Sequence, residues 1–184
     1  MKFLTNQIII SNPKMNDSFF SKSVIYIYQH NLDGALGLII NKKLNTVKVN
    51  AATEVLMNRG IIIKDLTKNL YLGGPIALKR GIILYQEKGL PSESVVTLNI
   101  ADITSNINEK VSSDSNKIDS YKFMFGYSAW SPGQLEGEIK NGDWFLQEST
   151  SDFIFNIPTN YLWEQAILSA GLNLDFPVSN FGQT

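Results

Sequence analysis

Two apolar runs joined by a short polar turn constrain the fold of this chain more than any other feature. The runs are Val24–Tyr28 and Ala35–Ile40, and the segment between them contains the dipeptide Asp33-Gly34. Because Asp-Gly tolerates positive backbone angles, the pattern predicts a β-hairpin. Both strands are apolar at consecutive rather than alternate positions. We therefore expect the hairpin to lie centrally in a sheet that is covered on both faces.

Apolar runs and capping residues predict the remaining elements. The predicted strands cover Leu70–Leu72, Gly81–Tyr85, Val95–Leu98, Tyr121–Tyr127, Asp143–Gln147 and Phe153–Phe155. The predicted helices cover Asn50–Asn58 with Asn50 as N-cap, Asp102–Val111, and Asn160–Ala170 ended by Gly171. The serine-rich segment 112–120 is predicted to be a mobile loop. Strands and helices do not alternate strictly, so the pattern favours the α+β class.

Length and charge limit the function classes. The 184 residues are 43% apolar, which suffices for one core and favours a single domain over residues 1–184. Sixteen basic and seventeen acidic side chains give a net charge of -1. Without a basic excess, we expect no direct binding to DNA or RNA.

Cysteine content and hydropathy limit the possible site chemistry and the cellular location. The chain has no cysteine, which excludes disulfides, thiolate metal sites and cysteine nucleophiles. Polar residues Thr5, Asn6 and Gln7 interrupt the first apolar run before it reaches signal-peptide length. No stretch approaches the roughly 20 apolar residues of a membrane span. These observations predict a cytoplasmic protein that does not enter the membrane.

The stretch GYSAWSPGQLEGEI at 126–139 predicts a strand that leads into a helix. Ser131 is the expected N-cap, with Pro132 at the first helical position and Gln134 completing a capping box. Trp130 and Leu135 have the spacing of a hydrophobic staple. Capping leaves Gly133 and Gly137 without an explanation. We expect a neighbouring strand or another subunit to pack closely on this glycine face of the helix, and a ligand at the helix start is the open alternative.

Two features could carry chemistry. His30 is the one histidine, so any nucleophile and base arrangement has to use it, although a hydrogen-bonded structural role is favoured. The turn at Gly73-Gly74-Pro75 could hold an anion through exposed backbone N–H groups, with added charge from Lys79 and Arg80. A tight turn that ends a strand is the favoured interpretation of these glycines. One histidine and scattered acids do not make a metal site, so we expect no metal and no cofactor.

Six ordered blocks resemble one family of bacterial proteins, the AlgH/YqgE family. They are Ser11–Asp17, Ser23–His30, Asp33–Asn41, Leu72–Pro75, Arg80-Gly81 and Gly126–Glu136, and they span most of the chain. The resemblance implies an α+β domain with a bent, barrel-like mixed β-sheet flanked by helices. It implies no established activity and no assigned catalytic residues, and some family members carry a transcriptional-regulator label.

The combined prediction is a non-enzymatic cytoplasmic protein that binds a ligand or regulates a partner. The expected surface is a cleft near the Gly73-Gly74 turn, the His30 corner and the start of the helix after Trp130. The candidate ligand-binding residues are His30, Gly73, Gly74, Lys79, Arg80, Trp130, Gly133 and Gln134. The expected occupant is an unknown protein or a small anionic ligand, and the oligomeric state stays open. The alternative is an enzyme that acts on a small anionic substrate with His30 and the glycine turn.

Overall fold

Eight strands form one sheet in the computed structural model, which describes residues 2–45, 47–50, 54, 57, 66–87, 89, 95–99 and 118–172. The strands are β1 (Gln7–Ser11), β2 (Val24–Asn31), β3 (Gly34–Ile39), β4 (Leu70–Leu72), β5 (Ile76–Glu87), β6 (Val95–Asn99), β7 (Ile118–Trp130) and β8 (Trp144–Glu148). The helices described from end to end are α1 (Gln134–Lys140) and α2 (Leu162–Ser169), with a 3-10 turn at Leu66–Asn69 and a π-helical turn at Asp152–Asn156. Residues 47–50 are also helical.

The strand order makes the sheet mixed and open. Seven strands follow the order β6-β5-β7-β3-β2-β1-β8, and β4 pairs in parallel with β7 beside this path. All other pairs are antiparallel. In the described part of the chain, β6 and β8 end the path without pairing to each other. The α+β class and the mixed sheet are therefore confirmed, but the sheet does not close into a barrel.

The predicted hairpin is confirmed as β2 and β3, and apolar side chains cover both faces of it. One face packs in a cluster with α2 and the π-helical turn, and it includes Tyr26, Leu38 and Trp163. The other face packs in a cluster with α1 and includes Ile27 and Ile39. Each strand is apolar at consecutive positions because both of its faces are removed from water.

Gly34 closes the hairpin against the end of β7. Its φ is 121°, and a Cβ built on it would lie 2.1 Å from the carbonyl oxygen of Trp130. A side chain at this position would strain the backbone and collide with the neighbouring strand. The glycine of the predicted Asp-Gly turn thus also sets how closely β3 approaches β7.

Several predicted boundaries differ from the structure. Phe153–Phe155 is a π-helical turn rather than a strand, because a three-residue apolar run has no period that separates strand from helix. Residues 76–80 precede the predicted strand Gly81–Tyr85 but already belong to β5, and residues 118–120 belong to β7 rather than to the predicted loop. The predicted helix Asp102–Val111 and residues 112–117 lie outside the described residues.

The helix expected to begin at Asn50 begins earlier. Residues 47–50 are already helical, and the backbone N–H of Lys48 donates to the side-chain oxygen of Asn45 at 3.0 Å. Asn45 therefore caps this helix, and the expected cap at Asn50 is wrong. Both asparagines can cap, and only the folded backbone distinguishes them.

Helix α2 matches its prediction closely. Trp163, Ala166 and Ile167 are buried in the core, whereas Ala170 is exposed at the C-cap. Gly171 follows with a φ of 71°, the left-handed conformation that ends many helices. The stripe at helical spacing therefore located the buried face correctly except at its last residue.

Candidate functional site

Helix α1 is preceded by a turn over residues 131–134 and not by a capping side chain at Ser131. The backbone N–H of Gln134 donates to the carbonyl oxygen of Ser131 at 3.0 Å, and Gly133 has φ 75° and ψ -6°. Proline at the second position and a left-handed glycine at the third define a type II turn over residues 131–134. Gly133 is the N-cap, and no side chain caps the helix. The expected N-cap at Ser131 is therefore wrong.

Half of the expected capping box is present. The side-chain oxygen of Gln134 accepts from the backbone N–H of Ser131 at 3.0 Å. Trp130 and Leu135, the expected staple pair, are both buried in the cluster on the α1 face of the sheet. The motif thus predicted the side chains that hold the helix start, although the backbone follows another path.

Within the described part of the chain, no strand packs on the glycine face of α1. Apart from chain neighbours and the backbone of α1 itself, no atom of the described residues comes within 4 Å of a Cβ built on Gly133 or on Gly137. The positive φ of Gly133 explains that glycine without a partner. Nothing in the structure explains glycine at 137.

Glu138 links α1 to two strands. Its Oε2 accepts hydrogen bonds from the indole Nε1 of Trp130 at 2.8 Å and of Trp144 at 2.7 Å. Its Oε1 accepts from the amide of Gln134 at 2.8 Å. The sequence did not indicate this role of Glu138, because Trp144 lies beyond the motif. The carboxylate instead satisfies the polar atoms of two buried indoles.

His30 is held through both ring nitrogens. Nδ1 accepts a hydrogen bond from the backbone N–H of Leu4 at 2.9 Å, so the ring proton lies on Nε2. Nε2 donates to Oε1 of Glu136 at 3.0 Å. The residue is only 5% exposed. These contacts tie the N-terminal segment and α1 to β2, and they support the structural role favoured from the sequence.

Gly73 and Gly74 allow backbones to pack closely. The N–H of Gly73 donates to the carbonyl oxygen of Phe125, and its carbonyl oxygen accepts from the N–H of Ile39, both at 2.8 Å. A Cβ on Gly73 would lie 2.3 Å from the oxygen of Gly126, and one on Gly74 would lie 2.2 Å from the carbonyl carbon of Tyr127. This geometry supports the tight-turn interpretation over an anion cradle.

Lys79 and Arg80 lie in a four-residue bulge of β5. Ile76 pairs with Tyr127 and Gly81 with Phe125, so residues 77–80 lie opposite the single residue 126. Ala77 has a φ of 51°, a conformation that non-glycine residues rarely adopt. Arg80 places its guanidinium 5.7 Å from the centre of the Tyr127 ring. Bulges and left-handed residues of this kind concentrate near functional surfaces.

A cleft of about 470 Å³ opens at the hairpin end of the sheet. It is lined by Gln29, Asn31, Asp33, Gly34, Ala35, Leu36, Ile76, Ala129, Trp130, Ser131 and Pro132. Of the candidate residues, Trp130 lines it, whereas His30, Gly73, Gly74, Lys79, Arg80, Gly133 and Gln134 do not. Successive side chains of a strand face opposite sides, so Gln29 and Asn31 line the cleft while His30 faces away.

The described residues bring together no group of three or more histidine, aspartate or glutamate side chains that could hold a metal ion. Nor does any helix within the described ranges combine the length and the apolar character that crossing a membrane requires.

The fold and the cleft define an α+β protein with an open mixed sheet and a concave surface at its hairpin end. An AlgH-like family model, DUF179, matches residues 8–175. A UPF0301 protein of Vibrio vulnificus is 35% identical over 175 residues, which cover 92% of this chain and 93% of that protein. A UPF0301 protein of Methylococcus capsulatus is 32% identical over 173 residues, with coverage of 92% and 93%. The chain therefore belongs to the AlgH-like family.

Solved structures show the same fold. The solution structure of the AlgH protein from Pseudomonas aeruginosa superposes with a TM-score of 0.65 at 24% identity, covering 100% of this chain and 97% of that one. A crystal structure of a Corynebacterium diphtheriae protein gives a TM-score of 0.67 at 19% identity, covering 92% and 88%. These likenesses support the architecture and carry no information on activity.

Proposed function

We propose that this protein binds a ligand or a partner segment in the cleft between the β2–β3 hairpin and the start of α1, and that it regulates rather than catalyses. The cleft volume of about 470 Å³ carries this proposal. It lies within the roughly 300–1,000 Å³ typical of ligand pockets. Its walls belong to strands and to a tight turn, so the surface is preformed.

The lining favours a neutral or cationic occupant. Gln29, Asn31 and Ser131 offer hydrogen-bond donors and acceptors, and Leu36 and Ile76 offer apolar surface. Asp33 is the one charged residue among the described residues of the lining. An amide-rich occupant such as an extended peptide, with a basic group near Asp33, matches this chemistry better than the small anion expected from the glycine turn.

The enzymatic alternative has less support. His30 faces away from the cleft, and both of its ring nitrogens are engaged in hydrogen bonds. A general base needs a free nitrogen within reach of the substrate proton. We retain the cytoplasmic location and an indirect link to transcription as predictions from the sequence and the family resemblance.

The test is a thermal-shift screen of neutral compounds, anions and basic peptides. A true ligand at 100 times its dissociation constant adds about 2.7 kcal/mol to the free energy of unfolding. Ala129→Phe fills the cleft from an exposed lining position, and Ala170→Phe is the matched control on an exposed site away from it.

We expect Ala129→Phe to abolish the shift and Ala170→Phe to retain it. Binding that survives Ala129→Phe unchanged would show that the cleft is not the site. Conversion of an anionic compound by the protein, lost in His30→Gln, would favour the enzymatic alternative.

A further inference from the structure

Lys122 is a buried lysine on β7. It is 3% exposed, its Nζ donates to the carbonyl oxygen of Ile40 at 2.8 Å, and it lies 4.6 Å from the centre of the Tyr71 ring. An ammonium group has three N–H donors, and Ile40 accepts the one hydrogen bond that the described residues provide. A buried ammonium is costly unless an opposite charge compensates it.

A second cation faces the same ring. The Nζ of Lys43 lies 5.8 Å from the centre of the Tyr71 ring, and this lysine is exposed to solvent. Within the described part of the chain, neither Lys43 nor Lys122 forms an ion pair with a carboxylate. The Tyr71 hydroxyl lies 3.3 Å from Oγ1 of Thr159, which adds two hydroxyl groups to the cluster.

We propose that the cluster of Lys43, Tyr71, Lys122 and Thr159 is a binding site for an oxyanion of the phosphate or sulfate type. The described residues provide no counter-charge to the two cations around this aromatic ring, and an oxyanion beside them would supply it. Ammonium and hydroxyl groups are strong donors to phosphate oxygens. Exposed Lys43 marks the solvent side from which the anion enters. This cluster shares no residue with the lining of the cleft.

The protonation state of Lys122 provides a second measurable property of the proposed anion site. Burial, and then the nearby charge of Lys43, lower the pKa of Lys122 from 10.5 to about 7. An oxyanion stabilises the ammonium form, so binding above pH 7 has to draw a proton from solution. In the described structure, the titratable groups that face Lys122 are Lys43 and Tyr71.

The experiment is calorimetric titration of the full chain with sulfate, in buffers of equal ionic strength but different ionisation enthalpy. Sulfate does not titrate in this range, so proton uptake reports on the protein. We expect saturable binding with proton uptake at about pH 8. Lys43→Met should weaken binding about tenfold or more, and Lys122→Met should also abolish the proton uptake.

Lys140→Met is the matched control, because Lys140 is an exposed lysine on α1. It should bind sulfate like the wild type, which separates a site from general salt effects on stability. Titrations with a phosphomonoester, inorganic phosphate and acetate then identify the form of anion that binds. Absence of saturable binding in the wild type, or unchanged affinity in Lys43→Met, would overturn the proposal.

Discussion

Replacement of Lys122 by methionine tests how much the buried lysine costs the folded state. The unfolded chain holds this proton with a pKa of 10.5 and the folded chain with a pKa of about 7. Between these values the unfolded state binds more protons, so the free energy of unfolding rises with pH. The slope approaches about 1.4 kcal/mol per pH unit for one group. Below pH 7 the cost is complete, and above pH 10.5 it disappears.

The expected change in the free energy of unfolding follows from the burial of the Lys122 amine. The full difference in pKa corresponds to about 5 kcal/mol, and the lost bond to Ile40 and the lost ring contact offset part of this. Methionine keeps the unbranched shape without the charge. Replacing even a paired buried charge by apolar residues is often neutral or stabilises the protein by about 1–4 kcal/mol. We therefore expect Lys122→Met to be about 1–4 kcal/mol more stable than the wild type near neutral pH.

The assay is urea unfolding over a pH series, in buffers free of phosphate and sulfate. The advantage of Lys122→Met should shrink as pH rises from about 7 and should vanish near 10.5. Lys140→Met, at an exposed position, should keep the pH slope of the wild type. A Lys122→Met protein with the wild-type slope across this range would refute the argument that the buried amine is neutralised by its surroundings.

Three further predictions concern the helix start and the buried tyrosines. Gly133→Ala should lower the free energy of unfolding by about 1–2 kcal/mol because of its φ of 75°, whereas Ser131→Ala should change it by less than about 0.5 kcal/mol in the same denaturant assay. Glu138→Leu should leave two buried indole N–H groups without an acceptor and lower the free energy of unfolding by about 1–3 kcal/mol or more. It should also change tryptophan fluorescence. The isosteric Glu138→Gln should retain most of the stability. Burial raises the pKa of Tyr26 and Tyr28 to about 12, so the folded state holds more protons between pH 10 and 12 and the free energy of unfolding should fall there. Tyr26→Phe should reduce this fall in denaturant unfolding over the same pH range.

The sheet was predictable wherever apolar pattern and turn chemistry agreed. The hairpin of β2 and β3 and the helix α2 follow from runs long enough to show their period and from glycines at their ends. The apolar run Phe153–Phe155 was too short to distinguish a strand from a helix. The extent of β7 was underestimated because polar Asp119 and Ser120 interrupt the apolar pattern near its start.

The candidate site was predictable only in part. The Trp130 helix start and the Asp33-Gly34 turn line one cleft, but His30 at the expected corner does not line it. The glycine turn and the two basic residues after it do not line it, because Gly73 and Gly74 pack against β7 and residues 77–80 form a bulge. Which side of a strand faces a cleft depends on register, which a single sequence leaves open.

By itself, the sequence determined the α+β class, the central hairpin, the family resemblance and the residues that hold the start of α1. The hairpin and the start of α1 depend on contacts between residues close in the chain, and there the spacing of residue types specifies the local geometry. Only the tertiary structure decided that His30 bonds Leu4 and Glu136, that two tryptophans share Glu138, and that Lys122 lies buried beside Tyr71 and Lys43. Most of these partners are distant in sequence, and the charge and protonation of a buried side chain depend on neighbours that only the folded chain brings together.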